Sequence, residues 1–339
     1  MKQYTYIGPV GERPYFVYTP QSYRVGDAVP LLVMLHGCTQ KAVDFATGIH
    51  VNELAERHNF IAVCPQQTRS ANRYGCWNWY QSVNQVRDSG EPAIIAGIVQ
   101  EMLRDTTQWT IDARRIYVAG ISAGAALTVT LGATYPDIFA AIGIHSGVAY
   151  KAATNISGGI KTMRRGGPDP VHLGETAYTA MERHARVVPT IVFHGTSDFT
   201  VSAINGDQVI QQWMQTNMLA SHETYVANFQ QPASVVTGRV VGGYSYVIQT
   251  WNDASGQEIQ EYWKISGMGH AWSGGSDGSF MDPKGPDASE AMYRFFMKHP
   301  MPKKKEKRLV PVAETPRATP FWKNLLHNVV DFLYEKKDH

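Results

Sequence analysis

Short apolar runs alternate with helical patterns along most of this 339-residue chain, and this alternation restricts the fold more than any other feature. Buried-strand patterns occupy residues 29–37, 60–66 and 187–195, and two more lie in "RIYVAG" and "FAAIGIHSG". Helical patterns lie between them, notably at 91–109 and in "SAGAALTVTLGATYP". Strands that alternate with helices predict an α/β domain, in which a mostly parallel sheet carries helices on both faces. The chemistry of such a domain is expected at the carboxyl ends of the strands.

Three segments depart from this alternation. Residues 151–186 are rich in Gly, Arg and Pro and are interpreted as a cap or long loop over the carboxyl edge. Within 220–265, "YSYVIQTW" and "IQEYWKI" flank "NDASGQE", which predicts an antiparallel hairpin that extends the sheet. We therefore expect a catalytic domain over 1–300, followed by a basic linker and an amphipathic helix over 301–339. That helix either makes a weak contact with an anionic membrane surface or a partner, or packs back on its own domain.

The composition excludes several classes of function. The formal net charge is only +2, and residues 301–339 hold 9 Lys/Arg against 5 Asp/Glu, so the body is near neutral and no nucleic-acid partner is expected. Three cysteines are too few for a disulfide scaffold and match no zinc spacing. No run reaches the roughly 20 apolar residues of a membrane span. The first residues lack a signal-peptide pattern, which predicts a cytoplasmic protein unless a native leader is missing.

A serine, an aspartate and a histidine each follow a predicted strand. Ser122 lies in "GISAG", Asp198 in "HGTSDFT" and His270 in "GMGHAW". Their order along the chain is that of the α/β-hydrolases. A serine hydroxyl becomes a strong nucleophile when an imidazole takes its proton and a buried carboxylate orients that imidazole. We therefore predict an α/β-hydrolase fold with Ser122 as nucleophile, Asp198 as acid and His270 as base.

The same chemistry needs N–H donors for the oxyanion. Ala123, directly after the nucleophile, is expected to supply one backbone N–H, and Cys38 in "LHGC" the other. His36, His145 and His194 are interpreted as residues that brace loops. Asp207 and Asp277 remain alternatives to Asp198.

Five motifs in the same order, "HGCTQ", "CWNWY", "GISAG", "HGTSDFTV" and "GMGHAWSGG", resemble the polyhydroxybutyrate depolymerase family of esterases. The resemblance implies hydrolysis of carboxylic esters by Ser122, Asp198 and His270, without a metal or an organic cofactor. It suggests 3-hydroxyalkanoate oligomers or polymer as substrates and an extracellular or periplasmic location, since many family members are exported. The 39 residues after 300 are too short for a separate polymer-binding domain, which favours oligomers or small esters.

Two other functions stay open at this point. A feruloyl or acetylxylan esterase would use the same three residues on plant cell-wall esters. A non-catalytic hydrolase-fold module would bind ligands or surfaces without cleaving them.

The family motifs also contain tryptophans and cysteines. Trp77, Trp79 and Trp272 are predicted substrate contacts, with packing in the core or in loops as the alternative for each. Cys38 and Cys76 lie in the two motifs expected beside the site. We predict that they form a disulfide that braces the turn at Gly37 and Cys38, called the oxyanion turn below. The alternative is two buried free thiols.

Overall fold

A ten-stranded sheet forms the centre of the structure, a computed structural model that describes residues 1–303. In chain order its strands are β1 (Lys2–Gly8), β2 (Gly11–Tyr18), β3 (Val29–Leu35), β4 (Ile61–Pro65), β5 (Ile111–Ile121), β6 (Ala141–His145), β7 (Thr190–Gly195), β8 (Ser234–Arg239), β9 (Ser245–Asn252) and β10 (Glu258–Ile265). Two short strands, β11 (Trp272–Ser273) and β12 (Met281–Asp282), pair separately. The helices are α1 (Ala42–Gly48), α2 (Val51–His58), α3 (Gly90–Arg104), α4 (Ala123–Thr134), α5 (Ile156–Arg165), α6 (Pro170–Met181), α7 (Ile204–Ala220) and α8 (Ala288–Met297).

The strand order is β1-β2-β4-β3-β5-β6-β7-β10-β9-β8. The six strands from β4 to β10 run parallel, and antiparallel pairs complete both ends of the sheet. The mostly parallel sheet and its antiparallel β9–β10 extension are confirmed. The sequence analysis did not anticipate the β1–β2 hairpin or the outer strand β8, whose Val235 and Val236 side chains are half exposed.

The core lies on both faces of this sheet. Along β5, Val118 packs into the cluster that holds Ile98 of α3 and Leu127 of α4. Its neighbour Tyr117 points the other way, into the cluster that holds Phe295 of α8. Because both faces are covered, the central strands are continuous apolar runs rather than alternating ones, which is why they could be located in the sequence.

The segment 151–186 is the main correction to the predicted fold. It holds the helices α5 and α6 rather than a long loop. The Asn155 side chain accepts a hydrogen bond from the Gly158 N–H and caps α5, and Asp169 caps α6 in the same way before Pro170. These are ordinary helix-start signals, which the high Gly, Arg and Pro content of the segment concealed.

The described part of the chain includes one compact unit, Met1–Pro302. None of its helices is long and apolar enough to cross a membrane. The predicted basic linker and amphipathic helix of 301–339 fall, except for residues 301–303, outside the described residues.

Candidate active site

Ser122 lies at a sharp turn between the end of β5 and the start of α4. Its backbone has φ 56° and ψ −120°, a conformation that side-chain-bearing residues rarely adopt. Its N–H donates to the His145 carbonyl at 3.0 Å, which ties the turn to the end of β6. Strain of this kind is typical of a nucleophile elbow, because the tight turn exposes the serine hydroxyl above the sheet.

Two glycines allow this turn to form. A Cβ on Gly120 would lie 2.7 Å from the Leu35 carbonyl oxygen, and a Cβ on Gly124 would lie 2.2 Å from the same atom. The start of α4 therefore packs directly on the backbone at the end of β3. This contact leaves no space for a side chain and sets Ser122 beside the turn that follows β3.

Asp198 and His270 form a hydrogen-bonded pair. The His270 Nδ1 lies 2.7 Å from the Asp198 Oδ2, and the Asp198 side chain is fully buried. The other carboxylate oxygen accepts the N–H groups of Thr200 at 2.9 Å and Val201 at 2.8 Å. Burial raises the pKa of Asp198, but the hydrogen bond and charge of His270, aided by His194 and the Val201 N–H, outweigh it and lower the pKa. Asp198 is therefore a carboxylate whose hydrogen bond with His270 Nδ1 orients the imidazole ring.

The sheet brings these residues to one edge. β5, β6, β7 and β10 are adjacent, and Ile121, His145 and Phe193 are aligned across the first three of them. His145 links the two sides, because its carbonyl accepts the Ser122 N–H and its Nε2 accepts the Ser273 N–H at 3.1 Å. Within residues 1–303 no hydrogen bond joins the Ser122 hydroxyl to the His270 ring; such contacts often tighten only when substrate binds.

The turn after β3 lies against Ser122. A Cβ on Gly37 would lie 3.5 Å from the Ser122 Cβ. The backbone N–H groups of Cys38 and Ala123 have no hydrogen-bond partner in the described part of the chain. Two free donors next to a serine are what an oxyanion hole requires.

The sulfur atoms of Cys38 and Cys76 are bonded in the structure, with the two Cα atoms 4.2 Å apart. The bond joins the oxyanion turn to the loop that follows β4. Cys64, the remaining cysteine, is a buried thiol whose pKa burial raises to about 12.

The remaining candidate histidines and aspartates lie in positions that do not suit a catalytic base or acid. His36, His145 and His194 are buried, and burial lowers the pKa of each, so their rings are neutral and serve as hydrogen-bonding braces. Asp207 pairs with Lys264 at 2.8 Å. Asp277 is exposed.

The tryptophans require a correction. Trp77 and Trp272 are 0% exposed, and their indole N–H groups donate to the His36 carbonyl and the Ser289 hydroxyl. Trp272 also stacks on the His145 ring at 5.1 Å. Both indoles support the site from behind, so their prediction as substrate contacts is wrong. Trp79 is 7% exposed, near Gly159 of α5, and its contact with substrate stays a prediction.

Sequence reasoning missed a groove of about 460 Å³ beside these residues. Thr39, Lys41 and Asp44 line one side, and the loop 276–281 lines the other. Phe280 of this loop meets the His270 ring edge-on, with ring centroids 6.2 Å apart. No periodic pattern marks such a loop, so the sequence offered no signal for it. In residues 1–303 no cluster of three or more His, Cys, Asp or Glu side chains is arranged to hold a metal ion.

A strained strand–serine–helix turn on a mostly parallel sheet, with an Asp–His pair after later strands of the same sheet, is the layout of an α/β-hydrolase. Residues 14–225 match the model of the family described as "Esterase PHB depolymerase". The chain belongs to this family, and the resemblance noted in the sequence is confirmed.

Individual proteins agree with this assignment. The chain is 34% identical over 244 residues to "Poly(3-hydroxyalkanoate) depolymerase C" of Paucimonas lemoignei, a match that covers 71% of this chain and 54% of that protein. It thus spans about half the length of that depolymerase. It is 26% identical over 280 residues to "Acetylxylan esterase A" of Emericella nidulans, covering 79% of this chain and 84% of that protein. The solved acetyl xylan esterase from Aspergillus awamori superposes with a TM-score of 0.67 at 21% identity, over 88% of this chain and 98% of that one, which establishes the shared fold.

Proposed function

We propose that the chain is a serine esterase that hydrolyses carboxylic esters, with short 3-hydroxyalkanoate oligomers as its main substrate class. One observation carries the proposal. The strained Ser122 and the hydrogen-bonded Asp198–His270 pair lie at the carboxyl ends of the central strands, where two backbone N–H groups are also free to donate. Family membership and the depolymerase relative support the same substrate class.

The proposed mechanism uses this geometry in two half-reactions. Ser122 attacks the ester carbonyl while His270 Nε2 accepts its proton, and the N–H groups of Cys38 and Ala123 stabilise the oxyanion. His270 then protonates the leaving alcohol, which departs and leaves an acyl-enzyme. Water gives a proton to His270 and attacks this ester. Collapse of the second oxyanion then releases the acid, and His270 returns the proton to Ser122 Oγ, which regenerates both residues. Asp198 keeps Nδ1 protonated and stabilises the imidazolium in both steps.

A second substrate class has support of its own. His270 protonates the leaving alcohol, so the alcohol part of the substrate lies on the side of Phe280 and the groove. The groove walls carry hydroxyl and carboxylate groups, among them Thr39, Asp44 and Asp277. These groups suit a hydroxyl-rich alcohol such as a sugar, which favours an acetylxylan or feruloyl ester as the alternative substrate.

The test compares wild type with Ser122→Ala on p-nitrophenyl butyrate. We expect kcat to fall by roughly a thousandfold or more, because the acyl-enzyme no longer forms, with an unchanged circular dichroism spectrum. Retained hydrolysis would show that the nucleophile is misassigned. A wild-type protein that is inert to esters and to a fluorophosphonate probe would instead indicate the non-catalytic module.

Relative kcat/KM values then separate the substrate classes. The panel consists of 3-hydroxybutyrate oligomers, acetylated xylan and methyl ferulate. A preference for the oligomers supports the main proposal, and a preference for acetylated xylan or methyl ferulate transfers the assignment to the alternative.

A further inference from the structure

Three buried polar side chains lie behind the oxyanion turn and take no part in the proposed chemistry. His36, Gln67 and Glu91 are 0%, 2% and 4% exposed. They come from three separate segments, after β3, after β4 and at the start of α3. Polar groups this deeply buried are retained at a cost in solvation, so their hydrogen bonds indicate what they hold in place.

The first link joins Gln67 to the oxyanion turn. The backbone N–H of Gln67 donates to His36 Nε2 at 3.0 Å. Because Nε2 accepts, the ring proton lies on Nδ1, which donates to the Gly37 carbonyl at 2.7 Å. The peptide unit whose N–H belongs to Cys38 is the one whose carbonyl belongs to Gly37. The orientation of the Cys38 N–H is thus set directly by the His36 ring.

The second link joins Gln67 to the disulfide. The Gln67 Nε2 donates to the Cys76 carbonyl at 3.0 Å and also to the Glu91 carboxylate. Glu91 in turn accepts the Asn78 backbone N–H and the Asn78 side-chain amide, both at 2.7 Å. The loop that carries Cys76 is therefore fixed at the cysteine carbonyl and again two residues later, and Cys76 is bonded to Cys38.

Both links reach the same donor. Gln67 holds one side of the Cys38 peptide through the His36 ring and holds the other side through Cys76. We propose that Gln67, supported by Glu91, is a positioning residue that holds the Cys38 N–H in line for the oxyanion. This inference rests on the proposed esterase function and extends it to residues that touch no substrate.

The expected effect follows from what an oxyanion donor does. Loss of one such donor costs about a hundredfold to a thousandfold in kcat, because the donor acts on the transition state more than on the bound ester. Methionine at position 67 keeps the backbone N–H that donates to His36 but loses the side-chain hydrogen bonds to Cys76 and Glu91. The Cys76 side of the Cys38 peptide is then no longer held, which should misalign the donor and lower kcat by about tenfold, with KM changed by less than about twofold.

The experiment compares Gln67→Met with Gln260→Met in the full chain. Gln260 is also fully buried and makes two side-chain hydrogen bonds, to the Tyr225 hydroxyl at 2.7 Å and to the Ile210 carbonyl at 3.0 Å. It lies near the amino end of β10, paired with Thr190 at the start of β7 and so at the opposite edge from the site. Its loss should lower stability without changing kcat.

Kinetics on p-nitrophenyl butyrate and the rate of fluorophosphonate labelling are measured for both variants, with urea unfolding to confirm folding. Low kcat and slow labelling in Gln67→Met alone support the inference, and equal kcat in the two variants and wild type overturns it. If Gln67→Met does not fold, Glu91→Gln is measured in its place. We expect a smaller loss of kcat in Glu91→Gln, and a kcat equal to that of wild type in this variant would overturn the inference. A wild type inert to ester and probe would defeat the proposed function itself, and this inference with it.

Discussion

Replacement of Gly124 by alanine tests how closely the elbow and the oxyanion turn are coupled. The new Cβ would lie 2.2 Å from the Leu35 carbonyl oxygen and 2.6 Å from that of His36. Real Cβ atoms essentially never approach closer than 3.0 Å, so the start of α4 and the end of β3 must separate by at least about 0.8 Å. Such overpacking costs about 1–3 kcal/mol in the free energy of unfolding.

The same displacement should affect catalysis more strongly than it affects stability. It moves Ser122 and the Ala123 N–H relative to the Cys38 N–H, and a misplacement near 1 Å costs about a hundredfold in rate. We expect kcat/KM on p-nitrophenyl butyrate to fall between about tenfold and a hundredfold, with cooperative unfolding retained in urea.

Gly158→Ala is the matched control. Its Cβ would meet no atom closer than 3.4 Å, and an alanine within α5 should stabilise the helix by up to about 1 kcal/mol. Activity of Gly158→Ala should equal that of wild type. If Gly124→Ala also retains wild-type kcat/KM, the contact between α4 and β3 does not set the geometry of the site, and the reasoning is refuted.

Two further predictions concern the oxyanion turn. The bond between Cys38 and Cys76 spans 38 positions in sequence, so its reduction should lower stability by about 4 kcal/mol and the melting temperature by roughly 6 °C, measured by calorimetry with and without a phosphine reductant. A Cys38→Ser/Cys76→Ser double variant should not respond to the reductant, and an unchanged wild-type melting temperature would contradict the prediction. For His36, burial lowers the pKa from 6.5 to about 4, so the unfolded chain binds the proton more readily and stability falls as the pH drops through this window. The free energy of unfolding should therefore be about 2.5 kcal/mol lower at pH 4.5 than at pH 7.5 because of His36. In urea titrations, the His36→Gln variant should lose about 2.5 kcal/mol less stability than wild type over the same pH change. The comparison between variants is needed because burial raises the pKa of Glu91, which responds to acid in the opposite direction; equal losses in both proteins would refute the assignment to His36.

The residues of the site could be located from the sequence where they follow a buried strand. Ser122, Asp198 and His270 come after β5, β7 and β10, and the carboxyl ends of parallel strands meet at one edge by geometry alone. The central strands themselves were detectable because burial on two faces produces continuous apolar runs.

The parts that escaped prediction depend on contacts distant in sequence. Nothing in the local pattern around Gln67 or Glu91 indicates that the two side chains meet, because their hydrogen bond depends on how the loop after β4 folds over α3. Trp272 shows a related limit. Its place two residues after His270 put it near the site, but its side chain points into the core between His145 and Phe45. Proximity in sequence carries no information on side-chain direction at an irregular turn.

The outer strand β8 has a practical consequence for anyone who prepares this protein. It pairs only with β9 among the described residues, and its neighbours Val235 and Val236 place exposed apolar side chains on both faces of that edge. An open apolar edge is a template for a strand from another molecule, so self-association at high concentration should begin there. A single lysine at either valine would discourage it, and β9 lies between that edge strand and β10, the strand that precedes His270. Solubility can thus be engineered at one end of the sheet while the chemistry at its centre is left alone.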